Sequence, residues 1–169
     1  QEHVLDAQGE HLLSLSSRFS SAPNDAYSAL STADLKPPAV TLPSGTSATL
    51  TYGQYRALLA TNRNQEDRAA AFRAFHSTYL AQPNTYASLY HGVIQRDWFH
   101  ARARGYNSTL DAALHGNAIP TSVVENLIET TRAGAAPLQR YHRLRRKALK
   151  LDQYFPYDFS IPLVEWDRK

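Results

Sequence analysis

Apolar side chains recur every three or four positions along most of this chain, a spacing that places them on one face of an α-helix. The pattern predicts helices over residues 4–34, 51–82 and 84–151. Between the first two of these segments, β-branched residues flank a Pro-Ser-Gly turn, and this arrangement predicts a β-hairpin. We therefore expect a mainly α, multi-helical array that carries one small β-hairpin.

The stretch from Asn84 to Pro120 contains the clearest signals for where helices start and stop. Asn84 is a good N-cap, and Gly105 is the residue type that most easily takes the left-handed conformation beyond a helix end. Ser108 then opens a second helix, with Asp111 three residues later in a capping-box-like arrangement. Two helices joined by an Arg-Gly-Tyr elbow follow from these signals.

The same periodicity predicts which side chains face inward and which face solvent. In the first helix we expect Leu12 and Phe19 to be buried. Charged residues near helix starts, such as Asp67 and Arg68, are expected to remain exposed, and Arg145 is expected on a solvated cationic face.

Composition narrows the class of protein. The chain has 169 residues, a net charge of +3 and no cysteine, and no apolar run long enough to span a bilayer. We expect a soluble, cytoplasmic globule of one domain or slightly more, without disulfides and without a membrane partner. The absence of methionine leads us to expect that the chain is a segment of a longer protein.

Motifs that carry chemistry are missing. None of the seven histidines falls into H-E-x-x-H, in which two histidines one turn apart hold zinc and the glutamate activates water. His91 and His100 are nine residues apart and point to different sides of a helix. Asp97 and His100 form an acid/base pair of a kind common on helix surfaces. We predict no catalytic residue, metal ligand or cofactor in this chain.

The strongest charge feature is the basic run from Arg140 to Lys150, which could contact phosphates through Arg143, Arg146 and Lys147. An amphipathic helix with a solvated cationic face has the same pattern, and no aromatic residues interleave the basic face. A nucleic-acid partner is therefore the less favoured interpretation.

Four features occur in order along the chain: a hairpin followed by Tyr-x-x-Leu-Leu (55–59), Ala-Arg-x-Arg-Gly-Tyr (101–106), Arg-Tyr-x-x-Leu (140–144) and Tyr-Asp-x-x-x-Pro (157–162). Together they resemble oligoendopeptidase F of the thimet-oligopeptidase-like zinc metallopeptidases. They match the helical region that precedes the catalytic domain in that family, and the resemblance covers nearly the whole chain.

The resemblance implies a fragment of a larger α-helical metallopeptidase that hydrolyses short peptides inside a deep channel. It implies zinc, held elsewhere in the full-length parent by an H-E-x-x-H motif and a later glutamate, with that motif's glutamate as general base. This chain would be the non-catalytic helical portion. Its segments would be N-terminal helices (1–35), the hairpin (36–51), a helical lobe (52–152) and a lead-in (153–169) to the missing catalytic domain.

The resemblance also suggests where peptides would approach. If any residues face the substrate channel, we expect them at the elbow and the loop after it: Arg104, Tyr106, His115 and Asn117. Arg104 and Tyr106 could instead lock two helices together. Two other functions stay open, namely a stand-alone helical interaction or scaffold module without enzymatic activity, and the nucleic-acid binder described above.

Overall fold

The computed structural model describes residues 2–164. It is mainly helical with one two-stranded antiparallel hairpin, which confirms the predicted fold class. The α-helices are α1 (Ala7–Ser20), α2 (Ala22–Ser28), α3 (Tyr52–Thr61), α4 (Gln65–Leu80), α5 (Pro83–Ala103), α6 (Thr109–His115), α7 (Thr121–Ala133) and α8 (Ala135–Ala148). The strands are β1 (Ala39–Thr41) and β2 (Ser47–Thr49), paired with Val40 opposite Ala48; a π-helix spans Ala29–Ala33 and a 3-10 turn Pro156–Asp158.

Side-chain caps mark the starts of α3, α4 and α6, whereas α2 and α8 have no side-chain cap. Ser108 accepts a hydrogen bond from the Asp111 N–H, which confirms the predicted start of α6, and Asn64 accepts two from the first turn of α4. The predicted N-cap at Asn84 is wrong, because α5 already begins at Pro83 and Asn84 lies in its first turn. Thr51 and Gln54 form a reciprocal capping box at α3.

Three helices end in Schellman motifs, in which a left-handed residue lets two N–H groups return to the last turn. Gly105 (φ 71°) takes that position after α5, and the Tyr106 N–H donates to the Ala101 carbonyl at 2.9 Å, which confirms the elbow. Ala118 (φ 52°) and Lys150 (φ 55°) take it after α6 and α8, although both carry a Cβ that disfavours this conformation.

The chain folds into two compact units. The first combines the residues up to Asp34 with Pro83–Ala133, and the second combines Leu35–Gln82 with the residues from Gly134 onward. The segment boundaries predicted from the sequence remain predictions, and the last part of the predicted lead-in, 165–169, lies outside the described residues.

The second unit has an apolar core formed by the hairpin, α3 and α4. Tyr55 and Phe75 stack face to face with ring centroids 4.1 Å apart. Burial of this kind is worth about 25 cal/mol per Å² of apolar surface. The buried members of the cluster are Leu42, Leu50, Tyr55, Leu59, Ala71 and Phe75.

In the first unit, α2 packs against α5. The two helices approach closely because Gly92 has no side chain; a Cβ there would lie 3.0 Å from the Pro23 ring. The expected inward face of α1 is wrong: Phe19 is 67% exposed and Leu12 is also exposed, whereas Leu13 and Ser16 are buried. The apolar stripe that periodicity identified faces solvent, and the adjacent stripe containing Leu13 and Ser16 is the buried one.

The predicted exposure of Asp67, Arg68 and Arg145 is also wrong, because all three are buried in the second unit. Each is held by hydrogen bonds to groups that a helical periodicity cannot reveal. No helix within residues 2–164 is long and apolar enough to cross a membrane.

Candidate functional site

The elbow after α5 is held by the guanidinium of Arg104. Its Nη1 and Nη2 donate to the two carboxylate oxygens of Glu10 at 2.7 and 2.8 Å, and Nη1 also donates to the His3 carbonyl at 3.0 Å. These hydrogen bonds lower the pKa of the Glu10 carboxyl, to which the Leu5 N–H also donates, and they raise the pKa of Arg104. The guanidinium of Arg104 is therefore held by hydrogen bonds to the N-terminal segment of the same unit.

An aromatic cluster forms on the other side of the elbow. The His3 ring stacks on Tyr106 with centroids 3.7 Å apart, and His115 meets both rings edge-on at 4.9 and 5.2 Å. The His3 Nδ1 lies 2.9 Å from the Arg104 carbonyl, so it must carry a proton and donate. The elbow cluster therefore consists of His3, Glu10, Arg104, Tyr106 and His115.

The structure brings three of the four predicted channel residues together and leaves the fourth apart. Asn117 is exposed, and its backbone N–H donates to the Leu114 carbonyl in the turn after α6. His3 and Glu10 were not predicted as members of the site. They lie 101 and 94 residues from Arg104 along the chain, so local sequence carries no signal for these contacts.

A second polar site anchors the lead-in segment, residues 153–164, within the second unit. The Asp158 carboxylate is completely buried and accepts from Arg68 Nη2 at 2.5 Å and from Gln65 Nε2 at 2.8 Å. It also accepts from the Phe155 N–H at 2.9 Å, which closes the 3-10 turn. Arg68 Nη1 also donates a hydrogen bond to the Asn62 carbonyl at 2.8 Å. A buried ion pair with this many hydrogen bonds fixes the path of the segment.

Arg145 of α8 holds the same segment from another side. Its Nη2 donates to the backbone carbonyls of Asp158 and Ile161, and its Nε donates to the Tyr154 hydroxyl at 3.0 Å. Burial of the guanidinium lowers the pKa of Arg145, but hydrogen bonds to Tyr141 and Tyr154 outweigh this effect. The pKa is therefore raised and the charge is retained. The basic run of α8 thus contributes at least one cation to the interior rather than to a solvated face.

Asp67 stabilises the connection between the hairpin and α4. Its carboxylate accepts from the Ser44 N–H at 3.0 Å and from Asn62 Nδ2 at 2.9 Å. Burial favours the neutral acid, but these hydrogen bonds prevail and lower the pKa of Asp67.

Neither site is a metal centre. Within the part of the chain that the structure describes, no group of three or more histidine, aspartate or glutamate side chains could hold a metal ion. The described residues therefore do not fit a zinc site, which requires three or four converging protein ligands.

The model of peptidase family M3 matches residues 58–161 of this chain. Oligopeptidase PepF of Bacillus subtilis is 36% identical over 163 residues, which cover 96% of this chain and 24% of that protein. Among solved structures, oligoendopeptidase-F from Enterococcus faecium superposes with a TM-score of 0.89 at 33% identity, covering 96% of this chain and 31% of the other. A putative peptidase from Chlamydophila abortus gives a TM-score of 0.91 at 28% identity, with 96% and 27% covered.

The chain therefore spans about a quarter to a third of the length of the proteins it matches.

Proposed function

Because this chain belongs to peptidase family M3, we propose that it forms a non-catalytic helical portion of a zinc-dependent, cytoplasmic oligoendopeptidase. The observation that carries the proposal is the match over nearly the whole chain to oligoendopeptidase-F, of which it covers 31%. Zinc would be held outside the described residues, which do not fit a metal site.

The lead-in segment supports this assignment. Arg68 and Arg145 hold the buried Asp158 and the carbonyl of Ile161, so residues 158–161 are fixed within the second unit. A rigid exit is what a helical portion requires if it is to hold a following catalytic domain in a constant position.

We further propose that the elbow contributes to the wall of a channel for short peptides. Tyr106 is half-buried and His115 is exposed, so an aromatic surface is available beside the Arg104–Glu10 pair. Arg104 itself would position the elbow rather than bind a peptide carboxylate, because both of its terminal nitrogens already donate to Glu10.

The test uses the natural polypeptide that contains this chain. We expect an intact mass well above that of 169 residues, bound zinc, and hydrolysis of a quenched fluorescent peptide that a chelator abolishes. A metal-free, inactive polypeptide of this length would overturn the proposal and favour a stand-alone helical interaction module.

The channel wall is tested separately in that polypeptide. His115→Ala and Asn117→Ala should lower kcat/KM for the peptide, whereas Glu129→Ala, on an exposed position of α7, should not. Unchanged kcat/KM in both the His115 and the Asn117 variant, with hydrolysis intact, would refute the channel wall while leaving the peptidase assignment in place.

A further inference from the structure

A cavity of about 450 Å³ lies within the first unit, between α2 and α5. Three tyrosines line it: Tyr27 of α2, and Tyr86 and Tyr90, which are about one turn apart on α5. The apolar side chains of Leu89 and Val93 continue the lining along the same helix. We call this cavity the tyrosine pocket.

The tyrosine pocket contains no charged side chain. Its other lining residues are Pro23, Asn24 and Ser28, so every residue of the lining is uncharged at neutral pH. A charged ligand would lose hydration on entering the pocket and would gain no ion pair with the lining. The pocket therefore favours an uncharged ligand.

The tyrosine rings offer edges and faces for aromatic contacts. Tyr27 and Tyr86 meet edge to face, with ring centroids 6.0 Å apart and an interplanar angle of 67°. Tyr27 is 50% exposed and Tyr90 is 68% exposed, so part of each ring is still available for contact with a ligand. Aromatic pairs of this kind stabilise a complex by more than the burial of their apolar area alone. An aromatic ligand is therefore preferred to an aliphatic one.

The walls of the pocket are held together without a ligand. Pro23 of α2 packs on α5 at Gly92, where a Cβ would lie 3.0 Å from the proline ring. Nη1 of Arg96 donates to the Ser20 carbonyl at 3.3 Å and to Asn24 Oδ1 at 3.4 Å, which ties α5 to the ends of α1 and α2. A pocket that is already formed costs little conformational entropy when it binds a ligand.

Hydroxyl groups that could orient a ligand lie beside the rings. Those of Tyr27, Ser28 and Tyr90 make no hydrogen bond to another residue in the described range 2–164. Sites for small molecules typically combine an apolar lining with a few polar groups of this kind. A ligand with one donor or acceptor on its ring would satisfy them.

From the uncharged lining, the tyrosine rings and the unused hydroxyls, we propose that the tyrosine pocket binds a small, uncharged aromatic molecule of the size of a substituted indole. An apolar cavity of about 150 Å³ holds benzene, so about 450 Å³ accommodates a bicyclic ring with its substituents. Because this volume suits a whole small molecule, we infer a free ligand rather than one side chain of a docked peptide. The pocket shares no residue with the elbow cluster, and the inference does not depend on the proposed peptidase function.

The probe is indole, and indole-3-acetate is its charged counterpart. Each is titrated into the natural polypeptide that contains this chain, and binding is followed by saturation-transfer NMR. We expect saturable binding of indole with a dissociation constant of about 1 mM or below. Indole-3-acetate should bind at least about fivefold more weakly, because the pocket offers its carboxylate no cation. No saturable binding of indole would overturn the proposal, as would equal or tighter binding of indole-3-acetate.

N-acetyltryptophanamide tests the source of the ligand, because it presents the same ring as a peptide would. We expect it to bind no more tightly than indole. A clearly higher affinity of N-acetyltryptophanamide would overturn the assignment to a free molecule and would favour a docked peptide side chain.

Tyr27→Leu combined with Tyr90→Leu tests the site itself. Both side chains are at least half exposed, so the fold should be kept, and leucine preserves an apolar lining while it removes the rings. Loss of the aromatic contacts should weaken indole binding about tenfold. Trp98→Leu is the matched control, since it removes a 54% exposed aromatic side chain from α5 at a position that does not line the pocket.

The affinity of Trp98→Leu for indole should equal that of the wild type. An equal affinity in the wild type and the double tyrosine variant would overturn the proposal. A loss of affinity in Trp98→Leu as large as that in the double variant would overturn it as well, because indole would then bind elsewhere on the protein.

Discussion

Removing the buried carboxylate with Asp158→Ala should be among the most destabilising single changes in this protein. The substitution leaves Arg68 buried with its charge uncompensated, and it also removes the acceptor of Gln65 and of the Phe155 N–H. The side chains of the pair are 2% and 0% exposed, so water cannot replace the lost partner without opening the unit. Breaking a buried pair in this way costs about 3–5 kcal/mol.

Urea unfolding monitored by far-UV circular dichroism measures this cost. With a slope of about 2 kcal/mol per M, the expected loss shifts the midpoint by about 1.5–2.5 M. Asp97→Ala is the matched control: it breaks the Arg96–Asp97 pair at 2.9 Å, whose side chains are 27% and 50% exposed. Exposed pairs contribute about 0–1 kcal/mol, so this variant should hardly move the midpoint.

A double variant separates the buried charge from simple loss of packing. Replacing both partners, Arg68→Met with Asp158→Ala, removes the uncompensated cation and should recover part of the stability lost in the single variant. A loss of less than about 1 kcal/mol in the unfolding free energy of Asp158→Ala, at an unchanged slope, would contradict a stabilising buried pair. A double variant whose loss equals the sum of the losses in the two single variants would contradict it as well.

Three further predictions follow from local geometry. Ala118→Gly should raise the free energy of unfolding by about 0.5–1 kcal/mol, because the left-handed φ of 52° is strained for alanine; a lower melting temperature would contradict this. The lowered pKa of Asp67 means that its contribution is complete above the unfolded pKa near 4 and is lost as the pH falls through the folded value. The difference in unfolding free energy between wild type and Asp67→Asn should therefore narrow below about pH 4, and a difference that is constant from pH 7 to 2.5 would count against it. Glu10→Gln should speed hydrogen exchange of the amides at residues 5–10, because Arg104 then lacks its charged partner; equal exchange would show that the pair does not order this segment.

The sequence allowed the elements to be predicted because their signals are local. Thr51, Asn64 and Ser108 each cap a helix with their own side chain, and Gly105 takes the conformation that glycine favours. The hairpin likewise follows from β-branched residues on either side of a turn. Such signals act within four residues and need no knowledge of tertiary structure.

The polar interior could not be predicted because its contacts are not local. Arg68 and Asp158 lie 90 residues apart, and nothing in the surroundings of either residue distinguishes it from a solvated charge. Arg145 was misassigned for the same reason, since it sits in a run of exposed basic residues. At the elbow, the sequence points to Arg104 and Tyr106 as candidate site residues. Their partner His3 lies 101 residues before Arg104 and could not be predicted.

Local stability should differ sharply between the two units' helices, and α7 is the informative case. This helix has an apolar face containing Val123, Leu127 and Ile128, yet none of its residues is buried, whereas α4 buries five. A helix of 13 residues is marginal in water when it gains nothing from packing. We therefore expect the amides of α7 to exchange hydrogen much faster than those of α4 in this chain. In a longer M3 polypeptide that covers the apolar face, protection of α7 should rise while that of α4 stays the same; equal protection of α7 in both would mean that its order does not depend on tertiary contacts.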